Sequence, residues 1–330
     1  MLCPEGTTPI KKNKKNDIRA LYKQISEARR KRATDIFKLD GNVYAFDSTT
    51  ISLCLDVFWR AKFRKHKGGI KIHTLYDLET QIPAFFHITM ASVHDSKAMK
   101  EIPIETGAYY IFDRGYNNLK ELYRIHRAES FFVVRAKTNL QYQCIKWRRR
   151  LPKGILTDAE IKLTVYGSQK GYPEHLRLVR FFDEEQGREF MFLTNAMDLT
   201  ALQIADLYKN RWQIELFFKW LKQHLKIKKF WGTTENAVRI QISAAITAYC
   251  LVAIVQHDMQ LKRSTYEVLQ ILSISLTDKT PLRELFDKTY SNDVKEQFGP
   301  LIPGLFDYYL TRPDFNGTLM NSIRNSWKLN

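Results

Sequence analysis

The sequence predicts a mixed α/β fold in which a central sheet is flanked by helices. From residue 42 to residue 135, short apolar runs alternate with polar turns in the order strand, strand, strand, helix, strand, helix, strand. A β-rich stretch follows, and a long helical pattern then begins near residue 207. Acidic residues close two of the predicted strands and another lies in the helical pattern, so the same segments indicate both the fold and its chemistry.

The first five strands and two helices are predicted from apolar runs bounded by turn residues. The predicted strands lie at 43–47, 70–76, 83–90, 109–113 and 131–135, and the predicted helices lie at 96–102 and 117–127. This order is compatible with a mixed sheet that carries helices on its faces.

A β-rich insertion is predicted at about 138–198, because the interval between the fifth strand and the helical pattern is too long for a compact sheet-and-helix unit. Its segments at 161–166, 176–182 and 189–193 are rich in β-forming residues and are separated by turns with Gly, Pro or acidic residues. We therefore expect one domain, interrupted by extra strands.

Three carboxylates are the candidate catalytic residues. Asp47 closes the run VYAFD and Asp113 closes the run YYIFD, and a carboxylate at the end of an apolar strand is expected at the edge of the sheet, where ligand can reach it. Glu215 lies in the helical pattern. Two strand-end Asp residues and a helical Glu provide the oxygen ligands that a pair of hard divalent cations needs for phosphoryl transfer.

The helical pattern at 207–225 places four polar residues on one face. At about 100° per residue, Tyr208, Arg211, Glu215 and Lys222 fall within a sector roughly 60° wide. Several other faces are apolar, which indicates a buried helix whose polar face points into a site or an ion-pair network. The alternative is a simple i,i+4 pair between Arg211 and Glu215 on a solvated face. The apolar stripe beside this face comprises Leu207, Ile214, Phe218, Leu221 and Leu225.

The spacing Tyr208-x2-Arg211-x3-Glu215-x6-Lys222 resembles the YREK signature of bacterial insertion-sequence transposases, in the group called the insertion-sequence-4 family. Three further segments are similar to blocks of that family, in the same order. They read FDSTT at 46–50, FDRGY at 112–116 and FLTN at 192–195. The resemblance extends from about residue 42 to about residue 286.

The resemblance implies an RNase H-like domain, interrupted by the β-rich insertion, that cleaves DNA and transfers strands at the ends of a mobile element. Asp47, Asp113 and Glu215 would form its DDE triad and hold two magnesium ions, for which manganese would substitute. The implied partners are double-stranded DNA, both transposon ends and target, and a second copy of the chain on that DNA. The residues it implies as DNA contacts are Tyr208, Arg211 and Lys222.

The charge of the chain also favours a polyanionic partner. The sequence contains 52 Lys and Arg residues against 35 Asp and Glu, a net charge of +17. Basic residues are concentrated at 11–32, at 59–71 and in the segment KWRRR at 146–150. We expect Lys146, Arg148 and Arg149 to contact DNA, although a single basic run is often only a solvated face. Trp147 either stacks on a displaced base or packs at an exposed edge.

The domain boundaries and location follow from the rest of the sequence. We expect a basic arm at 1–41, the catalytic domain at 42–286 and a tail at 287–330. The four cysteines are scattered without metal-binding spacing, and the start does not resemble a signal peptide, which indicates a reducing cytoplasm and association with the nucleoid. The apolar run 240–255 fits a buried helix better than a membrane span.

A second function class stays open from the sequence. Members of the resembled family usually carry a longer helical region before the first Asp, whereas the resemblance here begins close to the start. The alternative is a truncated, non-catalytic DNA-binding remnant that interferes with full-length transposase.

Overall fold

A computed structural model describes residues 36–53, 62–64, 67–225, 230–232, 234–274 and 281–287. The ten strands are β1 Val43–Leu53, β2 Lys62–Arg64, β3 Lys67–Asp77, β4 Pro83–Met90, β5 Tyr109–Phe112, β6 Phe131–Arg135, β7 Tyr142–Trp147, β8 Ile155–Leu163, β9 Leu176–Asp183 and β10 Arg188–Thr194. The helices are α1 Asp95–Ala98, α2 Leu119–Arg127, α3 Tyr166–Gly171, α4 Ala201–Asn210, α5 Gln213–His224, α6 Glu235–Asp258, α7 Thr265–Ile274 and α8 Leu282–Asp287. Most of the expected basic arm and tail lies outside these ranges.

The strands form one mixed sheet with the order β2-β3-β1-β5-β6-β10-β9-β8-β7, and β4 pairs with β3. β1 is antiparallel to β3 but parallel to β5, which is itself parallel to β6. Five strands in the order β4-β3-β1-β5-β6, with the crossovers made through helices, form an RNase H-like sheet. The predicted fold class is therefore confirmed.

β1 is longer than predicted. It continues past Asp47 to Leu53 because its antiparallel pairing with β3 extends to Leu53 opposite Gly68. Its parallel pairing with β5 ends at Phe46 opposite Phe112. Asp47 consequently lies inside a strand, but at the point where the parallel neighbour has ended.

The insertion extends this sheet instead of forming a separate one. β10 pairs antiparallel with β6, and the Asn195 side chain then accepts from the Phe132 N–H at 2.9 Å and donates to the Ser130 carbonyl at 2.9 Å. The segment predicted as a strand at 161–166 is different: β8 ends at Leu163, and Tyr166 begins the short helix α3. The unpredicted strand β7 is an exposed outer strand, which lacks a clear apolar signal in the sequence.

The helical pattern that the sequence presents as continuous is divided at Arg211 and Trp212. The Arg211 N–H bonds to the Tyr208 carbonyl at 3.1 Å, and the Ile214 N–H bonds to the Arg211 carbonyl at 3.2 Å. These i→i+3 bonds are tighter than those of an α-helix and interrupt the α-helical pattern between α4 and α5. Tyr208 therefore belongs to α4, whereas Glu215 lies in the first turn of α5.

The strands alternate between two cores. Val43, Ala45 and Ile111 face the core that includes α4, α5 and α6, whereas Phe46 and Phe112 face the core that includes α2. With a side-chain period of two, residues 47 and 113 are directed to the same face as residues 45 and 111. That face carries α4 and α5, where the other predicted site residues lie.

Helix α6 contains the apolar run at 240–255. By length and composition this helix is apolar enough to cross a membrane, and 44% of its most apolar window is buried inside the protein. Ile242, Ile246 and Tyr249 belong to the core on the α4 and α5 face, and the Tyr249 hydroxyl donates to the Gln81 carbonyl at 3.0 Å. Its inner side therefore packs as a core helix does.

One buried ion pair attaches the insertion to the segment before α4. Arg177 is 1% exposed and donates to both carboxylate oxygens of Asp158, at 2.8 and 2.7 Å. Its remaining nitrogen donates to the carbonyls of Ala196, Met197 and Leu199. The guanidinium thus connects β8 and β9 to the chain that leads into α4.

We predict that Arg177→Ala lowers the free energy of unfolding by about 3–5 kcal/mol, because the carboxylate of Asp158 is left buried without its partner. Urea denaturation monitored by circular dichroism measures this loss. Arg180→Ala is the matched control: Arg180 pairs with Glu189 on the surface, and the expected loss is about 0–1 kcal/mol. Equal losses for the two variants would contradict the assigned role of Arg177.

Candidate active site

The register of three parallel strands places two of the candidate carboxylates side by side. Phe46 of β1, Phe112 of β5 and Val134 of β6 are partners across the sheet. The next row is therefore Asp47, Asp113 and Arg135, one residue further along each strand. Adjacent strands are about 4.8 Å apart, so this row brings two carboxylates and a guanidinium together on the face that carries α4 and α5.

Arg211 joins the third carboxylate to this row. Its Nη1 donates to Oδ2 of Asp47 at 2.7 Å, and its Nη2 donates to Oε1 of Glu215 at 2.6 Å. The Arg211 side chain is 13% exposed, whereas that of Glu215 is 59% exposed. A single guanidinium thus lies between a buried carboxylate at the sheet and a solvent-facing carboxylate at the start of α5.

Tyr208 connects Asp113 to the same group. Its hydroxyl donates to Oδ1 of Asp113 at 2.8 Å, and the Arg211 guanidinium lies 5.7 Å from the centre of its ring. Arg135 also forms an ion pair with Oδ1 of Asp113, at 3.9 Å. Three carboxylates therefore gather around two arginines and one tyrosine.

The two aspartates have opposite pKa shifts. Burial raises the pKa of Asp47 to about 6, and this effect outweighs the opposing influence of Arg211 and the Ser48 N–H. Burial also raises the pKa of Asp113, but hydrogen bonds from the Arg114 N–H and the Tyr208 hydroxyl outweigh it and lower that pKa below its ordinary value. Asp113 is therefore stabilised as an anion, whereas the anionic form of Asp47 is destabilised by burial.

The opposite face of the sheet supports Asp47 through its neighbour Ser48. The Ser48 N–H donates to Oδ1 of Asp47 at 2.8 Å, and its hydroxyl donates to Oδ1 of Asp95 at 2.8 Å. Lys71 donates to the same Asp95 oxygen at 3.0 Å, and the Tyr116 hydroxyl lies 3.5 Å from Asp47. Asp95 is not among the site residues predicted from the sequence. The alternation of side chains along β1 was the signal that could have directed Ser48 to the face opposite Asp47.

The donor chemistry fits hard divalent cations. All three carboxylates offer oxygen ligands, and Asp47 and Glu215 already share a cationic partner in Arg211. In the present arrangement, no three His, Cys, Asp or Glu residues of the described ranges form a metal-binding cluster. Arg211 occupies one oxygen of Asp47 and one of Glu215, so a cation that took those two oxygens would displace its guanidinium.

The remaining predicted DNA contacts lie at different distances from this group. Lys222 is half-buried in the last turn of α5, about 10 Å along the helix from Glu215. Lys146 and Arg149 are exposed at the β7 end of the sheet, which is six strands, or roughly 29 Å, from β1. Arg148 donates to the Met197 carbonyl at 2.7 Å and so has a structural contact.

Trp147 is 62% exposed at the same outer strand. Of the two interpretations drawn from the sequence, the structure has it at an exposed edge, where its ring is open to a ligand. The basic segment at 146–150 and the three carboxylates are thus separate features of one extended sheet.

An RNase H-like sheet with aspartates on two neighbouring parallel strands, just beyond their pairing, and a helical glutamate on the same face defines the DDE class of proteins. The comparison with protein families agrees: the model described as "Transposase DDE domain" matches residues 38–251. The chain therefore belongs to the DDE transposase family. Its assignment to the insertion-sequence-4 group within that family stays a prediction.

Relatives of the chain carry the same family name. It is 39% identical over 233 residues to the putative transposase y4zB of Sinorhizobium fredii, covering 69% of this chain and 64% of that protein. It is 32% identical over 210 residues to the probable transposase for insertion sequence element IS5377 of Geobacillus stearothermophilus, covering 62% and 54%. The chain thus spans less than two thirds of the length of these two relatives.

A third relative is matched over most of its length. The putative transposase for insertion sequence element IS4SA of Synechocystis is 27% identical over 296 residues, which cover 84% of this chain and 81% of that protein. Among solved structures, the piggyBac transposase in a synaptic complex with hairpin DNA aligns with a TM-score of 0.45 and 12% identity, over 79% of this chain and 58% of that one.

We predict that the stability contributed by Asp47 falls as the pH rises from about 4 to about 6. The unfolded chain loses this proton near pH 3.8, whereas the folded protein keeps it up to about pH 6, so the folded state binds more protons in that window. The full shift corresponds to about 3 kcal/mol. Urea unfolding at a series of pH values should show this decline in the parent protein and a flatter profile in Asp47→Asn.

Asp113→Asn provides the control of opposite sign. Because the pKa of Asp113 is lowered by folding, its contribution is present above the unfolded value of 3.8 and is lost as the pH falls through the folded value. The Asn variant should therefore lose stability at neutral pH relative to the parent. Parallel profiles for Asp47→Asn and the parent between pH 4 and 6 would contradict the raised pKa of Asp47.

Proposed function

We propose that this protein is a transposase that cleaves DNA at the ends of an insertion sequence and transfers the strands to a target. The observation that carries the proposal is the convergence of three carboxylates from segments far apart in the sequence. Asp47 and Glu215 both accept from Arg211, and Asp113 accepts from Tyr208 beside it. Family membership supplies the reaction class, and DDE transposases generally depend on divalent metal ions.

Asp47, Asp113 and Glu215 are the residues that would hold two magnesium ions, and manganese would substitute because both ions accept oxygen ligands. Such ions stabilise the negative charge that develops on the attacking and leaving oxygens of a phosphodiester. The role of the chain is to hold two carboxylates on the rigid sheet and a third beside them at the start of α5. Tyr208 orients Asp113 through its hydroxyl, and Ser48 orients Asp47 through its N–H.

Arg211 would act as a resident cation that holds the site together until metal and DNA bind. Its guanidinium neutralises Asp47 and Glu215 in the present arrangement. If divalent cations held those carboxylates, the guanidinium would be available to a phosphate, which its planar fork can bind with two hydrogen bonds. Lys222, on the same helix as Glu215, would add a second phosphate contact.

Double-stranded DNA is the proposed partner, as transposon end and as target. Lys146 and Arg149 would contact its backbone away from the carboxylates, since phosphate contacts position DNA without reading its sequence. We propose that the DNA-bound form is a homodimer and that the protein acts in the cytoplasm, at the nucleoid. The four cysteines of the sequence are scattered without metal-binding spacing, which suits a reducing compartment.

We predict that Glu215→Gln abolishes most strand cleavage while it preserves DNA binding. The substitution keeps the shape of the side chain but removes one of the negative charges that would bind metal, so cleavage should fall by roughly 10²–10³-fold. The assay uses duplexes made from inverted repeats that flank the coding sequence, with magnesium or manganese. Glu189→Gln, on the surface of β10, is the control and should cleave as the parent does.

Two outcomes would overturn the proposal. Equal cleavage by Glu215→Gln and the parent would assign Glu215 a structural role. Binding without cleavage by the parent, in either metal and with either end, would favour the alternative of a non-catalytic DNA-binding remnant.

We predict that Arg211→Ala binds divalent metal more tightly than the parent. The guanidinium and the metal compete for the same oxygens of Asp47 and Glu215, so removal of the guanidinium should lower the dissociation constant for Mn²⁺ in isothermal titration calorimetry without DNA. Arg124→Ala, in which an arginine of α2 loses its pair with Glu121, is the control and should leave Mn²⁺ binding unchanged. Weaker metal binding by Arg211→Ala would contradict the proposed competition between the guanidinium and the metal.

A further inference from the structure

Arg135 completes the row of side chains that begins with Asp47 and Asp113. It is the last residue of β6 and lies one position beyond the pairing of Phe112 with Val134, level with Asp113. Its side chain is directed to the face that carries Tyr208, since Val133 two residues earlier belongs to that core. A cationic group therefore lies next to the carboxylates, on the side of Asp113 away from Asp47.

The guanidinium donors of Arg135 form no hydrogen bond within the described part of the chain. Its guanidinium is 3.9 Å from Oδ1 of Asp113, which is an ion pair without a hydrogen bond, and it makes no hydrogen bond to any residue of the described ranges. Its side chain is only partly exposed. A guanidinium with five N–H groups and one distant carboxylate is well suited to accept an anion.

A second arginine reaches the same place from the insertion. The guanidinium carbons of Arg135 and Arg188 lie 5.2 and 4.3 Å from the centre of the Phe190 ring. Arg188 and Phe190 are two positions apart on β10, so their side chains emerge on one face, and Phe192 pairs directly with Arg135. Two positive charges therefore lie against one ring, and an anion bound to either guanidinium would offset their repulsion.

The aromatic ring also connects this pair to the carboxylates. Phe190 lies 5.7 Å from the Tyr208 ring, and Tyr208 donates to Asp113. A ligand that contacts Arg135 and Arg188 would consequently lie beside the Asp113 end of the catalytic row. The pairing of β9 with β10 continues past the end of β6, so this hairpin lies beside the Asp113 end of the row.

We propose that Arg135 and Arg188, held by Phe190, form a binding site for a phosphodiester of the DNA strand that enters the active site on the Asp113 side. The inference rests on DNA as the partner in the proposed function. Arg135 would exchange its distant pair with Asp113 for hydrogen bonds to phosphate oxygens, and Arg188 would bind from the hairpin. Arg211 contacts Asp47 and Glu215 on the other side. Arg211 on one side and the pair Arg135 and Arg188 on the other therefore flank the carboxylates.

The test is DNA binding without catalysis. Fluorescence anisotropy with a labelled duplex in EDTA gives the dissociation constant at several salt concentrations, and each phosphate contact adds about 0.9 to the slope of log K against log salt. We expect Arg135→Gln and Arg188→Gln each to reduce that slope by about one unit. Arg135→Lys should keep the slope but bind more weakly, because lysine retains the charge and loses the planar fork.

Arg180→Gln is the matched control, because Arg180 lies on the same hairpin, pairs with Glu189 and emerges on the opposite face of the sheet. Its slope should equal that of the parent. Unchanged slopes for both Arg135→Gln and Arg188→Gln would overturn the inference, as would a parent protein that does not bind DNA at low salt. If Arg135→Gln does not fold, the salt slope of Arg188→Gln alone tests the inference.

The result is independent of cleavage. A parent that binds DNA with the predicted slopes but does not cut it would overturn the proposed activity and leave the phosphate site intact. A parent that cuts DNA while both Gln variants keep its slope and affinity would overturn the site alone.

Discussion

The buried guanidinium of Arg211 is the interaction on which the organisation of the site depends. It donates to Asp47 at 2.7 Å and to Glu215 at 2.6 Å, and so connects the central sheet to α5. Without a cation at this place, three carboxylates would repel one another at the edge of the sheet. Burial lowers the pKa of Arg211, but the carboxylates of Asp47 and Glu215 outweigh that effect and hold it above its ordinary value. The arginine therefore stays charged when it is withdrawn from water.

This arrangement stores a cost that a ligand can relieve. Asp47 has a raised pKa because it is buried, and its charge is compensated by one arginine and one backbone N–H. A site that carries an unfavourable charge in the free protein is stabilised when a cation binds, since binding then contributes to the stability of the folded state. The folded state is thus less stable because of a buried charge at the proposed site, as is common at functional sites.

The ten-stranded sheet gives the site two kinds of surroundings. On one side of the row formed by Asp47, Asp113 and Arg135, β3 and α1 support Asp47 through Ser48 and Asp95. On the other side, the insertion continues the sheet through β10 and brings Phe190 and Arg188 against Arg135. The insertion is thus physically continuous with the carboxylates instead of being an appended domain. Its exposed basic segment at the far strand lies at a distance that only an extended ligand can span.

The sequence by itself determined the order of strands and helices along residues 42–135. It also identified the two aspartates that close apolar runs and the helical glutamate. These features are local: an apolar run and its period of two or 3.6 residues are readable without knowing what lies opposite. The mixed α/β class and the family resemblance followed from them. Sequence reasoning also placed Tyr208, Arg211 and Glu215 near one another, although it treated as continuous a helix that is divided at Arg211.

Only the tertiary structure decided which side chains meet. The register of β1, β5 and β6 puts Asp47, Asp113 and Arg135 in one row, and register depends on pairing between segments that are distant in the chain. Arg135 is the last residue of β6 and lies level with Asp113, but a pattern of acidic metal ligands does not include an arginine. The position of Arg211 between two carboxylates, and the contact of Asp95 through Ser48, depend on packing across both faces of the sheet. Such contacts have no signature in the local pattern, because they arise where separate elements come together.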